Sequence, residues 1–230
     1  MRTVAQVEDY PAYLDAIEIG DERAAHQRIQ QLQAELASLA KSLDDARRIK
    51  KILYVPESRL RAELITFLTE DLHMKAWPEG EQYVFWLQDD AGESWCLGQV
   101  RSSEENVQKE HLAHLLVERM RAGKPETTPT LLVVNTMRSG STMEERDRPI
   151  PDDVIRRALE DHIVVVRTLD LVRLERRGSN GLPSSEQLVD VLRQSGGWFE
   201  VDASFNAKLH GPAAPGAPPS PAPGVPASQV

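Results

Sequence analysis

The chain has 230 residues, of which 40% are hydrophobic and 27% are charged, a size and composition typical of one folded domain with appendages. Its formal net charge of −9 argues against a general attraction to nucleic acid, although a local basic patch is compatible with that charge. The sequence contains no apolar run of membrane-spanning length, no secretory signal pattern and only one cysteine, Cys96. We therefore expect a cytoplasmic protein with no disulfide framework and no membrane partner.

The N-terminal part of the sequence predicts a short helix between Pro11 and Gly20 and a long helix that begins after Asp21. Apolar residues in the long helix follow alternating steps of three and four, the spacing of a coiled-coil seam: Ile29, Leu32, Leu36, Leu39 and Leu43. This pattern predicts a helical arm over residues 1–52 that contacts a second copy or another helical protein through residues 25–46. Packing of the stripe on the chain's own domain is the alternative.

An α/β pattern begins at Pro56. Leucines at steps of four, from Leu60 to Leu72, predict a helix with one buried stripe. The next segments have strand composition, and a hairpin turn, DDAGE, joins the last two of them: MKAWPE, QYVFWLQ and SWCLGQVRS. After these we predict helices that alternate with two apolar strands, TLLVVN and IVVVRT, whose unbroken runs are typical of strands covered on both faces.

The C-terminal part predicts one more helix, strand and tail. Ser184 and Gln187 form a capping-box pattern for the helix SEQLVDVLRQ, and Gly196 and Gly197 stop this helix before the strand WFEVD. The last 20 residues contain seven prolines and no charged side chain. We therefore predict a folded domain over residues 53–209 and a disordered, proline-rich tail over residues 210–230.

The order of predicted elements is helix, three strands, helix and strand, and it resembles the bacterial PD-(D/E)XK nuclease-like proteins. The segments that carry this resemblance cover about two thirds of the chain: LITFLTEDLHMKAW, LGQVRSS, LLVVNTMRS, RPIPDDVIRRALEDHIVVVRTLDLVRL and GGWFEVD. The resemblance implies a restriction-endonuclease-like fold, an α/β fold with an αβββαβ core around a mixed sheet.

The resemblance also implies where a metal site would lie. In this family an Asp on the second strand and a Glu on the third hold Mg²⁺, and a Lys two residues after the Glu orients the attacking water. Here Gln99 stands in the Glu position and Arg101 in the Lys position, and the second strand contains no Asp. The nearest carboxylates are Glu81 before that strand and Asp89 in the turn after it, and Glu63 on the preceding helix is a further candidate.

Two functions follow from this degenerate motif. The first is a catalytically inactive nuclease-fold module, a pseudonuclease, that serves protein assembly and nucleic-acid binding and needs no cofactor. The alternative is a Mg²⁺-dependent DNA or RNA nuclease with a variant site, in which Glu81 or Asp89 is the acidic metal ligand, Gln99 is the carbonyl ligand and Arg101 stabilises charge. A purely structural interpretation also stays open, in which the two side chains occupy an exposed strand end.

Overall fold

The computed structural model describes residues 20–80, 83–179, 185–194 and 196–211. The chain divides after Arg48 into two compact units. The described part of the first unit is formed almost entirely by the long helix α1 (Glu22–Lys50), whose last two residues belong to the second unit and which contains neither Gly nor Pro. Its predicted seam residues are all exposed to solvent. A 3-10 turn, Lys51–Leu53, follows α1 and leads into the second unit.

The second unit is built on one sheet, which has seven strands in the described part of the chain. The strands lie side by side in sequence order: β1 (Lys75–Pro78), β2 (Val84–Gln88), β3 (Ser94–Ser102), β4 (Thr130–Asn135), β5 (Ile163–Arg167), β6 (Gly197–Val201) and β7 (Ala207–His210). The sheet is mixed. Neighbours from β3 to β6 are parallel, whereas β2 and β7 run antiparallel to their neighbours.

Helices cover both faces of this sheet. They are α2 (Glu57–Glu70), α3 (Lys109–Arg121), α4 (Met143–Arg146), α5 (Asp152–Glu160), α6 (Thr168–Ser179) and α7 (Ser185–Gln194). Buried side chains of α2, α6 and α7 form one core with one face of the sheet. Those of α3 and α5 form a second core with the opposite face. Every residue of β4 and β5 is buried, as their unbroken apolar runs predict.

The structure confirms an α/β protein with a mixed sheet and a long N-terminal helix, and it adds two elements that the sequence did not predict. One is the short helix α4, and the other is β7, whose last residue, His210, lies in the range predicted as tail. The sequence AKLH of β7 is too short and too polar to indicate a strand, and its pairing depends on the turn at Asp202. The predicted short helix at 11–19, the cap at Ser184 and the tail from 212 onward lie outside the described residues.

The described helices were also compared with the requirements of a membrane span. Among these helices none is both long enough and apolar enough to cross a bilayer.

Candidate functional site

Gln99 lies in the interior of the sheet and not at an exposed strand end. On β3 it is paired with Val84 of β2 and with Leu132 of β4. Paired residues point to the same face of a sheet, and both of these neighbours belong to the core beneath α3 and α5. The Gln99 side chain is 1% exposed, and its Oε1 has no hydrogen-bond partner among the described residues.

Arg101 follows two residues later on the same face of β3, where the strand approaches its end. Its guanidinium carbon lies 4.8 Å from the ring centroid of Tyr83, close enough for a cation–π interaction. A backbone hydrogen bond of 2.9 Å, from the N–H of Val100 to the carbonyl of Tyr83, fixes the position of that ring. Arg101 is half-buried, and within the described residues its buried Nε has no acceptor. The strand end therefore carries a positive charge held against an aromatic ring, and the Nε of this guanidinium is a buried donor without a partner among the described residues.

His111 adds a second donor close to this charge. The imidazole Nδ1 accepts a hydrogen bond of 3.1 Å from the backbone N–H of Gln108, the residue that precedes α3. Burial lowers the pKa of His111, and the positive charge of Arg101 lowers it further. The neutral ring therefore carries its proton on Nε2, because Nδ1 is engaged as an acceptor. Arg101 and His111 together suit an anion better than a cation.

The structure does not bring Asp89 to Gln99, so these two residues do not form the predicted pair of metal ligands. Asp89 follows β2 in the hairpin turn, next to the beginning of β3 at Ser94. Gln99 lies five positions after Ser94 on β3, which corresponds to roughly 16 Å along an extended strand. The Oδ1 of Asp89 accepts a hydrogen bond from the backbone N–H of Glu93, so this carboxylate stabilises the turn.

Glu63 is also separated from Gln99, because the two residues belong to opposite sides of the sheet. The buried side chains of α2, including Leu60 and Leu64, contact the face that Gln99 does not share. The Oε1 of Glu63 is 2.6 Å from the Nζ of Lys51. Glu81 lies outside the described residues. Within the described ranges, no group of three or more His, Cys, Asp or Glu side chains is placed to hold a metal ion.

The unpaired amide of Gln99 leads to a prediction about stability. We expect Gln99→Leu to raise the free energy of unfolding by about 1–2 kcal/mol, because a buried acceptor without a partner pays a desolvation cost that Leu avoids. Urea denaturation measures this difference. The matched control is Gln88→Leu, at a half-buried position in the same sheet, where we expect a change within about 0.5 kcal/mol. Lower stability in Gln99→Leu than in the wild type would contradict the prediction.

A second buried polar cluster lies where β5 meets α6, and the sequence did not single it out as such. Asp170 is fully buried and accepts five hydrogen bonds. Three come from Arg167, through its backbone N–H, Nε and Nη2, and the others come from Trp198 Nε1 and the backbone N–H of Val201. Burial would lower the pKa of Arg167, but the hydrogen bonds with Asp170 and the negative charges of Asp170, Asp147 and Glu200 together raise that pKa. This charged pair therefore connects β5, α6 and β6.

Asp147 connects the loop before α5 to the same cluster. Its carboxylate accepts hydrogen bonds of 2.8 and 2.7 Å from Arg173 and lies 3.1 Å from Arg167. Burial would raise the pKa of Asp147, but the hydrogen bonds from Arg173 and the charge of Arg167 outweigh burial and lower it. All of these groups are paired with one another, so the cluster stabilises the fold and presents no free reactive group.

The chain was compared with known proteins to test whether relatives identify this site. Protein-family models, curated proteins and solved structures gave no match. The function is therefore inferred from the fold and from the geometry around Gln99 and Arg101.

Proposed function

We propose that the chain is a catalytically inactive module on a nuclease-like scaffold, which binds nucleic-acid phosphate at the end of β3 and assembles through α1. The observation that carries this proposal is the burial of Gln99. A neutral amide, 1% exposed and paired across the sheet with the apolar residues Val84 and Leu132, stands where the resemblance to the nuclease-like proteins expects a metal-binding Glu.

The charges of this site disfavour a divalent cation. Mg²⁺ prefers anionic oxygen ligands and sheds its water reluctantly, so a neutral amide oxygen is a poor substitute for a carboxylate. Two unit charges 4 Å apart interact by about 4 kcal/mol at an effective dielectric near 20, and a divalent ion doubles this value. The loss of one carboxylate removes an attraction of this order, and the positive charge of Arg101 adds a repulsion.

The same charges favour a phosphate group. Arg keeps its charge at every relevant pH and can donate two hydrogen bonds to one phosphate. The charge of Arg101 acts on the imidazole of His111, whose neutral form has an N–H donor at Nε2. Because the whole chain carries a net charge of −9 and the site contains one cationic side chain, we expect weak binding with a shallow salt dependence of about one phosphate contact.

Fluorescence anisotropy with labelled single-stranded DNA, duplex DNA and RNA at low salt tests the binding part. We expect Arg101→Gln to weaken binding about tenfold and to reduce the salt dependence by about one phosphate contact. Arg193→Gln is the matched control, because Arg193 also stacks on an aromatic ring, with 5.2 Å between its guanidinium carbon and the centroid of Trp95. Trp95 lies at the other end of β3, so this control should bind like the wild type.

Incubation of the same nucleic acids with Mg²⁺ or Mn²⁺ tests the catalytic part. We expect no cleavage by the wild-type protein. Cleavage that depends on the metal and disappears in Gln99→Ala would overturn the proposal and establish the variant nuclease. The binding part fails if no nucleic acid binds at low salt, or if Arg101→Gln and Arg193→Gln lose affinity equally.

A further inference from the structure

We propose that α1 pairs with α1 of a second copy of this chain to form a two-stranded coiled coil. This inference names the partner for the assembly part of the proposed function and rests on that part alone. It is independent of nucleic-acid binding, because the seam of α1 lies in the first unit and Arg101 lies in the second.

The spacing and exposure of one stripe on α1 carry the inference. The helix has 29 residues and is about 43 Å long. In a heptad numbered from a to g, its large apolar residues occupy successive a and d positions, and they are 46–72% exposed: Ile29, Leu32, Leu36, Leu39 and Leu43. Large apolar side chains on a single water-exposed stripe indicate an interaction surface.

The residues that flank the stripe permit pairing with an identical helix. In a parallel, in-register pair, each g position faces the e position that follows it on the second copy. These facing residues are Arg28 with Gln33, Glu35 with Ala40, and Ser42 with Arg47. None of these pairs brings like charges together. The d positions carry Leu, and one of the three a positions, Ile29, carries the β-branched residue that two-stranded coils prefer there; the other a positions carry Leu.

The area of the stripe sets the expected strength of the dimer. A fully exposed leucine side chain offers on the order of 100 Å² of apolar surface. Ten such side chains, each about half to three-quarters exposed, give on the order of 600 Å² in a pair of helices. With the polar flanks included, the interface is on the order of 1,000 Å², near the lower limit of specific interfaces. We therefore expect a dimer with a dissociation constant in the micromolar range.

Sedimentation equilibrium of the full-length chain tests the inference. At roughly 100 μM we expect a mass twice that of the 25.7 kDa chain, with dissociation on dilution through the micromolar range. Leu36→Glu combined with Leu39→Glu should weaken the dimer at least a hundredfold. Ala34→Glu combined with Ala37→Glu is the matched control, because it adds the same charge to the same helix at positions away from the seam. This control should keep the dimer.

A second variant separates loss of pairing from loss of the helix. Leu36→Ala combined with Leu39→Ala keeps strong helix formers in α1 and removes only apolar surface, so it should weaken the dimer at least tenfold. A monomeric wild type at 100 μM, a mass of three or more chains, or equal dimerisation of the seam variants and the control overturns the inference. Nucleic-acid binding by the Leu36→Glu, Leu39→Glu variant is measured separately. Dimerisation through α1 and nucleic-acid binding at Arg101 are therefore tested by different measurements.

Discussion

Replacement of Asp170 by Asn is expected to lower the free energy of unfolding by about 3–5 kcal/mol, the usual cost of breaking a buried ion pair from one side. The substitution leaves the guanidinium of Arg167, which is 1% exposed, without its closest counter-charge. It also replaces an acceptor oxygen of the carboxylate by an amide NH₂ that cannot accept these hydrogen bonds. Urea denaturation followed by tryptophan fluorescence measures the change, because Trp198 Nε1 donates to Asp170 and reports on this site.

Asp147→Asn is the matched control for this substitution. Asp147 also contacts Arg167, but its side chain is 31% exposed, so water can replace part of the lost interaction. We expect a loss of about 1–2 kcal/mol for this variant. Arg167→Met combined with Asp170→Leu should recover only part of the stability lost in Asp170→Asn, because it removes the buried charges but leaves Trp198 Nε1 and the N–H of Val201 without their acceptor. A change below 1 kcal/mol in Asp170→Asn would contradict the structural importance of the cluster.

Gly98→Ala is the second substitution with a large expected effect. An added Cβ at Gly98 on β3 would lie 2.2 Å from Cζ of Phe85, a fully buried ring on β2. No ordinary contact is that short, so the ring or the two strands must move. We expect a loss of about 3 kcal/mol, the upper part of the range for overpacked cores. Thermal or urea unfolding measures it.

Substitution of Phe85 tests whether its collision with the added Cβ causes the loss of stability in Gly98→Ala. Phe85→Leu alone should be destabilising, because it removes buried apolar volume. Combined with Gly98→Ala, it should cost less than the sum of the two single changes, because the smaller side chain relieves the collision. Gly211→Ala is the control, since none of the described atoms lies within 4 Å of its added Cβ. Equal stability of Gly98→Ala and Gly211→Ala would show that the sheet adjusts without cost.

The fold could be predicted where local sequence determines local structure. The apolar runs TLLVVN and IVVVRT indicate buried strands by themselves, and the structure confirms both as β4 and β5. Strand β7 could not be predicted, because its four residues are held by pairing with β6 and by hydrogen bonds around Asp202. Such an edge strand depends on partners that no local pattern contains.

The site could be predicted only in part for the same reason. The two-residue spacing places Gln99 and Arg101 on one face, but it does not say which helices cover that face. The burial of Gln99 depends on α3, β2 and β4 together. The separation of Asp89 from Gln99, by contrast, follows from the hairpin and was available in the sequence. The acceptor role of Asp170 involves Trp198 and Val201, about 30 positions later, which no spacing rule connects to it.

The sequence-ordered sheet has a consequence for synthesis on the ribosome. Each strand after β1 pairs with the strand translated just before it, so its pairing partner has already left the exit tunnel when the new strand emerges. Growth of the sheet from β2 towards β7 closes short loops only at the antiparallel pairs, whereas each parallel pair from β3 to β6 forms after a crossover that contains at least one helix, which slows its closure. The carboxylate of Asp170 gains two of its hydrogen-bond donors, Trp198 Nε1 and the N–H of Val201, only after β6 has been translated, so this cluster is completed later than the strands β3 to β5.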